Sequence, residues 1–395
     1  MTISNKVRQI MASDAIRKWF EQGNALKLKY GADKVFDLSL GNPVTEPPEE
    51  FNKIFKQIAD NPVPGIHKYM VNAGYNETRE AVAAQLSKDT GVPFKLTDIV
   101  MTVGAAGAIN SVCKAILNPQ EEVIVFSPYF REFDNYIENH SGVVKVVPTD
   151  DAFIPDLGAL EAAISAKTKA VLLNSPNNPT GVVYPKEFLQ KVGQLLQKKE
   201  RELNGQIYLL SDEAYRKLLY DGLEYAPIFP HYRNSIMITS HSKDLALAGE
   251  RIGFAAVNPE SDDHEELMAA IIISSRNLGY INAPSLMQYM VRFLQDAPVP
   301  VSLYQRKRDF IYNELKSMGY TVIKPQGAFY LFPKAPVDND SEFVQELLNW
   351  NVLVVPGSVF CKPGYFRIAY TVEDSVLEGS LNGFRKVAQK YGICK

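Results

Sequence analysis

The chain has 395 residues, of which 46% are hydrophobic and 22% charged, and its formal net charge is -3. This length favours about two domains, and the slightly acidic balance excludes the basic surface on which nucleic-acid binding depends. The three cysteines and five histidines show neither metal-ligand nor disulfide spacing. The first ten residues lack the apolar core of a signal peptide, and no apolar run approaches the roughly 18 residues that span a bilayer. We therefore expect a cytoplasmic protein without metal, membrane or nucleic-acid partners.

The segment from Asp98 to Val257 alternates short apolar runs with amphipathic stretches. This alternation predicts an α/β fold with a mostly parallel, seven-stranded sheet between helices on both faces. The strands are expected at Ile99 to Val103, Val123 to Phe126, Val143 to Val147, Ala170 to Leu173, Ile207 to Leu210, Ile236 to Thr239 and Gly253 to Val257. The helices between them are expected at Ala105 to Leu117, Arg131 to His140, Leu157 to Ser165 and Lys186 to Lys199.

The two ends of the chain have a different character. One helix, Ala12 to Tyr30, is too short to bury itself and is expected to pack on the C-terminal part. The pattern after Ser261 predicts a helix ending at Ser275, a helix from Ser285 to Leu294, and strands at Ala328 to Phe332, Val352 to Val355 and Phe366 to Tyr370. We predict a large domain over residues 46–285 and a smaller α+β domain built from residues 1–45 and 286–395.

One motif combines an amine and a guanidinium: Ser-His-Ser-Lys ends at Lys243, and Gly-Glu-Arg-Ile-Gly places Arg251 shortly after it. A lysine that condenses with an aldehyde must be buried enough to act as a nucleophile, and a phosphate needs a permanent cation and hydroxyl donors. Lys243 and Arg251 suit these two tasks, and Ser240 and Ser242 supply hydroxyl groups. The motif therefore indicates a pyridoxal phosphate (PLP) site with Lys243 as its Schiff-base lysine.

Two polar motifs follow predicted strands. In Asp-Glu-Ala-Tyr, Asp212 is the candidate acid that keeps the cofactor's ring nitrogen protonated. Asn178, in Asn-Pro-Thr-Gly, and Tyr215 can both donate to the phenolic oxygen of the ring. The ordinary alternatives are a helix cap for Asp212 and a proline turn around Asn178. The order of the motifs along the chain, each at a strand end, favours the cofactor site.

Three further positions fit the same site. Ala105 and Ala106 lie where a predicted strand meets a predicted helix, so that backbone N–H groups can approach a phosphate. Phe130 can stack on a flat ring, although a core aromatic is the alternative. Arg367 interrupts an apolar strand, where a buried guanidinium must be paired, either with a substrate α-carboxylate or in an internal salt bridge.

These motifs, in this order, resemble those of the class I and II aminotransferases of PLP fold type I, the aspartate aminotransferase-like enzymes, over nearly the whole chain. The resemblance implies that Lys243 also moves the proton during catalysis and that Arg367 binds the substrate carboxylate. It further implies a homodimer with shared sites, in which Tyr69 reaches the partner's phosphate, and a substrate pocket lined by Gly41.

The resemblance is weaker where it concerns the substrate side chain. Ala106 stands where one aspartate-specific branch carries lysine, and Asn42 stands where acidic residues are frequent. Arg276 resembles, within about a residue, the region from which another branch contributes an arginine across the dimer interface. An interface salt bridge is the alternative for Arg276, and Tyr280 and Phe20 could instead offer an apolar wall.

Together these features predict a PLP-dependent transaminase that moves an amino group from an L-amino acid to a 2-oxo acid by a ping-pong route. We expect 2-oxoglutarate and glutamate as one substrate pair. A β-eliminating lyase on the same scaffold is the enzymatic alternative, because the same lysine, acid and arginine serve several reactions. A cofactor-binding regulator without turnover is the alternative from another class.

Overall fold

The structure is a computed structural model that describes residues 3–13 and 15–394. The strands in these ranges are β1 (Phe36–Asp37), β2 (Ile99–Thr102), β3 (Glu122–Ser127), β4 (Val143–Pro148), β5 (Thr168–Asn174), β6 (Tyr208–Asp212), β7 (Ser235–Ser240), β8 (Gly253–Val257), β9 (Tyr330–Leu331), β10 (Val352–Leu353), β11 (Val355–Pro356) and β12 (Phe366–Ala369). The α-helices are α1 (Asn5–Ser13), α2 (Ala15–Tyr30), α3 (Glu49–Asp60), α4 (Asn76–Thr90), α5 (Gly104–Ile116), α6 (Glu132–Glu138), α7 (Leu157–Ala163), α8 (Lys186–Leu203), α9 (His241–Asp244), α10 (His264–Asn277), α11 (Ser285–Val291), α12 (Val301–Ser317), α13 (Asp340–Leu348) and α14 (Asp374–Lys390).

Seven strands form the central sheet in the order β2-β8-β7-β6-β5-β3-β4. All seven correspond to the predicted strands, and no strand end differs from its prediction by more than two residues. Strand β8 is antiparallel to both of its neighbours, and the other pairings in the sheet are parallel. The predicted α/β class with a mostly parallel sheet is therefore confirmed.

Helices cover both faces of this sheet, and alternate side chains of its strands belong to two different apolar clusters. In β6, Tyr208 and Leu210 belong to the cluster that includes residues of α5 and α10, whereas Leu209 belongs to the cluster that includes residues of α8. A strand whose side chains alternate between two buried faces must be apolar throughout. This requirement explains the continuous apolar runs in the sequence.

The C-terminal part has its own apolar cluster, which joins α12, α13 and α14 to a three-stranded antiparallel sheet in the order β11-β12-β9. The predicted strand from Val352 to Val355 is divided in the structure. Its first half, β10, pairs in parallel with β1, and its second half, β11, pairs with β12. The run from Val352 to Val355 is apolar and buried throughout, so its sequence pattern does not show that its two halves join different sheets.

The helix predicted from Ala12 to Tyr30 corresponds to α2, whereas α1, which begins at Asn5, was not predicted. Asp14, between the two helices, lies outside the described residues. Lys27 in α2 forms an ion pair with Asp37, with Nζ 2.6 Å from the carboxylate. Leu26 packs against buried Leu348 and Leu353, so the second half of α2 contacts the C-terminal part as expected. Within the described ranges, no helix combines the length and the apolar character needed to cross a bilayer.

Candidate active site

One cavity of about 320 Å³ lies where the central sheet, α5 and the C-terminal sheet meet. Asn174, Asp212 and Ser240 reach it from the carboxyl ends of β5, β6 and β7, the edge at which open α/β sheets bind ligands. Twelve of the residues selected from the sequence line this cavity: Gly41, Ala105, Ala106, Phe130, Asn178, Asp212, Tyr215, Ser240, Ser242, Lys243, Arg251 and Arg367. Motifs far apart in the chain are thus brought to one place.

Lys243 lies in α9, a single turn that begins directly after β7. Its Nζ donates a hydrogen bond to the carbonyl oxygen of Gly41 at 2.7 Å. Burial lowers the pKa of the Lys243 amine to about 8, and the positive charges of Arg367 and Arg251 act in the same direction while Asp212 opposes them. The unprotonated, nucleophilic fraction of this amine near neutral pH is therefore larger than that of an ordinary lysine.

Asp244 fixes the turn that carries Lys243. Its carboxylate accepts from the backbone N–H of Leu245 at 2.9 Å and lies 3.3 Å from His241 Nδ1 and 3.6 Å from Lys217 Nζ. Although burial acts to raise the pKa of Asp244, His241 and Lys217 hold it at about 2. The residue after the lysine is thus a charged anchor that ties α9 to the segment following β6.

Asp212 is 8% exposed, and burial raises the pKa of its carboxyl group to about 7. The side-chain amide of Asn174 donates to Asp212 Oδ2 at 3.3 Å, whereas Oδ1 is buried without a hydrogen-bond partner among the described residues. A buried carboxylate oxygen of this kind carries a desolvation cost unless a donor reaches it. Asp212 therefore presents an unsatisfied acceptor at the cavity wall.

Backbone N–H groups and a cation meet at the start of α5. This helix begins at Gly104 without a side-chain cap, so its first N–H groups lack intrahelical partners and attract anions. Gly104 has φ 68°, and a Cβ there would lie 2.9 Å from Arg251 Nη2. Because Gly104 has no side chain, the Arg251 guanidinium can lie close to the helix start. Ser240 and Ser242 line the same cavity, which gives the set of donors that a phosphate requires.

Arg367 is 4% exposed and lies in β12. Its Nη1 donates to Asn178 Oδ1 at 3.0 Å and its Nη2 to the Ser39 carbonyl at 2.6 Å. Its Nε is buried and has no hydrogen-bond partner in the part of the chain that the structure describes. No carboxylate of the described residues forms an ion pair with it, so the internal salt bridge considered from the sequence is not found there. Burial lowers the pKa of this guanidinium, which is the expected effect on a cation that lacks an anion.

Three polar residues of the cavity were not selected from the sequence: Asn174, Tyr136 and Tyr330. Asn174 accepts from the Asn178 backbone N–H at 2.8 Å and donates to Asp212, so it joins two motifs. Tyr136 in α6 and Tyr330 in β9 also line the cavity. A polar residue ending an apolar strand could have drawn attention to Asn174. The two tyrosines have no comparable signal, because aromatic residues are common in any apolar core.

Tyr69 and Arg276 do not line this cavity. Tyr69 is 91% exposed and Arg276 is exposed near the end of α10. Their segments lie side by side, because Asn72 Nδ2 donates to the Ile281 carbonyl at 2.9 Å. The two residues that the resemblance assigns to a partner's site therefore occupy neighbouring parts of one surface. The side chain of Phe20 lies outside the part of the chain that the structure describes.

The cavity matches PLP in its chemistry. The Lys243 amine suits an aldehyde, the unsatisfied Asp212 oxygen suits a ring N–H group, and the start of α5 with Arg251 suits a phosphate. Phe130, which packs edge-on against Phe133 with ring centroids 5.8 Å apart, supplies an aromatic wall. These groups, at the edge of a seven-stranded and mostly parallel sheet, define the class of fold type I PLP enzymes.

Comparisons with known proteins agree with this class. The family model for aminotransferase class I and II matches residues 33–382. The chain is 30% identical to a probable aspartate/prephenate aminotransferase of Thermus aquaticus, over 98% of this chain and 99% of that protein. It is similar to the crystal structure of an amino transferase from Eubacterium rectale, with a TM-score of 0.95, 36% identity, and coverage of 99% of this chain and 100% of the other. An aspartate aminotransferase from Thermus thermophilus with maleate has a TM-score of 0.83, 29% identity, and coverage of 98% and 100%.

The chain therefore belongs to the class I and II aminotransferases. It is a PLP-dependent transaminase, as the sequence motifs predicted. The family match shows the enzyme class and the cofactor.

Proposed function

We propose that the chain transfers the amino group of an L-amino acid to a 2-oxo acid by a ping-pong route, in the cavity that contains Lys243. The observation that carries this proposal is that one cavity is lined both by the buried Lys243 amine, whose pKa is lowered, and by a buried Asp212 oxygen that has no donor among the described residues. The division of the chain into residues 46–285 and the two terminal segments, and a cytoplasmic location, remain part of the proposal.

Each residue has one task in this scheme. When bound, PLP supplies an aldehyde that condenses with amines and a protonated ring that accepts the electrons left at the substrate's α carbon. Asp212 holds the proton on the ring nitrogen, and Phe130 packs on the ring face. Asn178 and Tyr215 orient the phenolic oxygen. Phosphate binding is assigned to the following group: Ala105, Ala106, Ser240, Ser242 and Arg251.

Lys243 and Arg367 act on the substrate. Arg367 binds the α-carboxylate with its free N–H groups, which fixes the α carbon relative to Lys243. Lys243 Nζ removes the α proton and returns it later in the half-reaction, as its pKa of about 8 allows near neutral pH. Gly41 lines the substrate side of the cavity, where a Cβ would collide with the Tyr330 hydroxyl.

Spectral titration of the purified holoenzyme tests the proposed activity. Glutamate should convert the lysine-bound cofactor into its amine form, and 2-oxoglutarate should restore the original absorbance. Release of pyruvate from a cysteine-type substrate, without formation of the amine form, would instead identify a β-eliminating lyase.

Arg367→Lys should keep the positive charge but lose the planar fork that grips a carboxylate. We expect the dissociation constants of amino acid and 2-oxo acid to rise together by roughly 10- to 100-fold, because charge-assisted hydrogen bonds contribute ~1.5–3 kcal/mol. Arg308→Lys is the matched control, since Arg308 is equally buried but pairs with Asp221 at 2.8 Å. Unchanged affinity for both substrates in Arg367→Lys would assign it a structural role.

We propose glutamate and 2-oxoglutarate as one substrate pair, with Arg276 of the partner subunit binding the distal carboxylate. The cationic side chains that line the cavity are Lys243, Arg251 and Arg367, and each already has a task. The distal carboxylate of a dicarboxylic substrate therefore needs another cation. The relative from Thermus thermophilus, whose structure contains the dicarboxylate maleate, supports this substrate class.

Arg276→Ala should reduce kcat/KM for glutamate by roughly 10- to 100-fold, the effect of losing a charge-assisted hydrogen bond. The value for a neutral amino acid such as leucine should change little. Arg201→Ala, on the exposed C-terminal end of α8, is the control for removing a surface arginine. Equal losses for the two substrates, or no loss for either, would show that Arg276 does not bind the distal carboxylate of the substrate.

Hybrid dimers test whether Arg276 acts across an interface. A dimer of one Arg276→Ala subunit and one Lys243→Ala subunit contains one complete site only if the arginine comes from the partner. Random mixing should then restore about a quarter of the wild-type activity toward glutamate, since half of the dimers carry one complete site of two. If the arginine acts within its own subunit, mixing restores nothing.

A further inference from the structure

Tyr330 contacts three of the residues assigned to the site. Its hydroxyl lies 2.9 Å from the hydroxyl of Tyr215, its ring centroid lies 4.6 Å from Arg367 Cζ, and its hydroxyl faces Gly41. It is 3% exposed and lines the cavity. One side chain therefore joins the group assigned to the phenolic oxygen with the group assigned to the substrate carboxylate.

The guanidinium of Arg367 is held between two aromatic rings. Cζ lies 4.6 Å from the centroid of Tyr330 and 4.8 Å from that of Phe360. Both rings contact the delocalised cation through their faces, and its hydrogen bonds are made in the guanidinium plane. The Tyr330 ring thus restricts Arg367 to orientations that suit a planar carboxylate.

The hydroxyl pair has two possible directions, because either oxygen can donate. At Tyr330, burial raises the pKa, and the positive charge of Arg367 acts against this rise. At Tyr215, burial raises the pKa well above 10, neighbouring Tyr330 and Asp212 raise it further, and Arg367 acts against this rise. The Arg367 cation lies 4.6 Å from the centroid of the Tyr330 ring, and a positive charge so close to this phenol favours its hydroxyl as the donor.

We propose that Tyr330 is a positioning residue with two separate effects: its hydroxyl donates to Tyr215, and its ring orients Arg367. If the Tyr215 hydroxyl accepts a hydrogen bond from Tyr330, the hydroxyl proton of Tyr215 points into the cavity. The bond that Tyr215 accepts and the bond that it donates to the phenolic oxygen then strengthen each other. This inference rests on the roles proposed above for Tyr215 and Arg367. It adds that one buried side chain, Tyr330, controls both the hydrogen bonding of Tyr215 and the orientation of Arg367.

Two substitutions separate the effects. Tyr330→Phe removes the hydroxyl and keeps the ring, whereas Tyr330→Leu removes both. The first measurement is the pH at which the absorbance of the lysine-bound cofactor changes. The second is the apparent dissociation constant for glutamate, aspartate and phenylalanine, each obtained by spectral titration.

Tyr330→Phe should move the absorbance transition to higher pH by several tenths of a unit or more, because Tyr215 becomes a weaker donor. Its dissociation constants should remain within about twofold of the wild type. Tyr330→Leu should show the same spectral shift and, in addition, a roughly three- to thirtyfold rise in the dissociation constants, as expected when a desolvated cation–π contact is lost. Tyr215→Phe with Tyr330→Phe should shift the transition no further than Tyr215→Phe alone, because the two hydroxyls act in one chain.

Tyr320→Phe is the matched control, since this buried tyrosine of the same apolar cluster donates to the Phe384 carbonyl at 3.0 Å and does not line the cavity. A transition that moves to lower pH in Tyr330→Phe, or does not move, would overturn the hydroxyl assignment. Unchanged dissociation constants in Tyr330→Leu would overturn the ring assignment. If Tyr215→Phe leaves the transition unchanged, Tyr215 does not donate to the phenolic oxygen. This result would contradict the proposed function of the site and not only the inference about Tyr330.

Discussion

Lys243→Ala should lower transaminase activity by several powers of ten, while the cofactor still binds through its phosphate and ring contacts. In the proposed scheme the variant lacks the amine that would bond to the cofactor and would move the α proton, so the first step loses its nucleophile and the second its base. Borohydride should trap a cofactor–lysine adduct in the wild type and none in the variant, which mass spectrometry of the digested protein can show.

Small primary amines provide a second test of the role of Lys243. Because the cavity would have space where the side chain was, added methylamine should restore part of the proton transfer, with a rate that follows the concentration of unprotonated amine. Lys145→Ala, which removes a β4 lysine paired with Glu122 outside the cavity, is the control and should retain full activity. A reducible lysine adduct and normal turnover in Lys243→Ala would assign the chemistry to another residue.

Asp212→Ala should slow removal of the α proton by about three powers of ten, equivalent to ~4 kcal/mol of transition-state stabilisation. In the proposed scheme Asp212 would keep the ring nitrogen protonated, and without this anion the ring would accept electrons poorly. Rapid-mixing measurement of the half-reaction isolates this step from substrate binding. Folding should be largely preserved, since the substitution removes a buried carboxyl group that lacks one of its hydrogen bonds.

Glu213→Gln provides an unusually close control for this experiment. Glu213 is the next residue, is also buried, and also has a pKa raised by burial to about 7. Its carboxylate, however, accepts from Ser211 Oγ at 2.8 Å and from the Tyr225 hydroxyl, and it does not line the cavity. We expect Glu213→Gln to alter stability while the half-reaction keeps its rate. Equal slowing in both variants would mean that buried charge in general, rather than contact with the ring, is responsible.

The central sheet could be predicted from sequence because its strands are apolar at nearly every position and are separated by amphipathic helices. The candidate site residues could be selected for a related reason. Parallel strands end at a common edge, so Asp212, Asn178 and Ser240, each at or beyond a strand end, had to lie close together. The structure places them in one cavity.

Contacts that depend on the register between distant segments could not be predicted. Tyr330 meets Arg367 because β9 and β12 pair with Ala369 opposite Tyr330, and no local pattern specifies that alignment. The bond from Arg367 to the Ser39 carbonyl likewise joins residues at opposite ends of the chain. Short strands such as β10 and β11 carry too few residues for their period to show to which sheet they belong.

The reversed direction of β8 has a geometric consequence. Ser240, the last residue of β7, stands opposite Gly253, the first residue of β8, so the connection from residue 241 to 252 begins and ends at the same edge of the sheet. If β8 were parallel to β7, the chain would enter β8 at the opposite edge of the sheet. Arg251, just before β8, would then lie roughly 17 Å from Lys243 for a strand of this length. The reversed direction of one strand thus places Lys243 and Arg251, the residues proposed for the covalent attachment and for phosphate binding, on one short connection. Their spacing is set by this local segment and not by the packing of two distant parts of the chain.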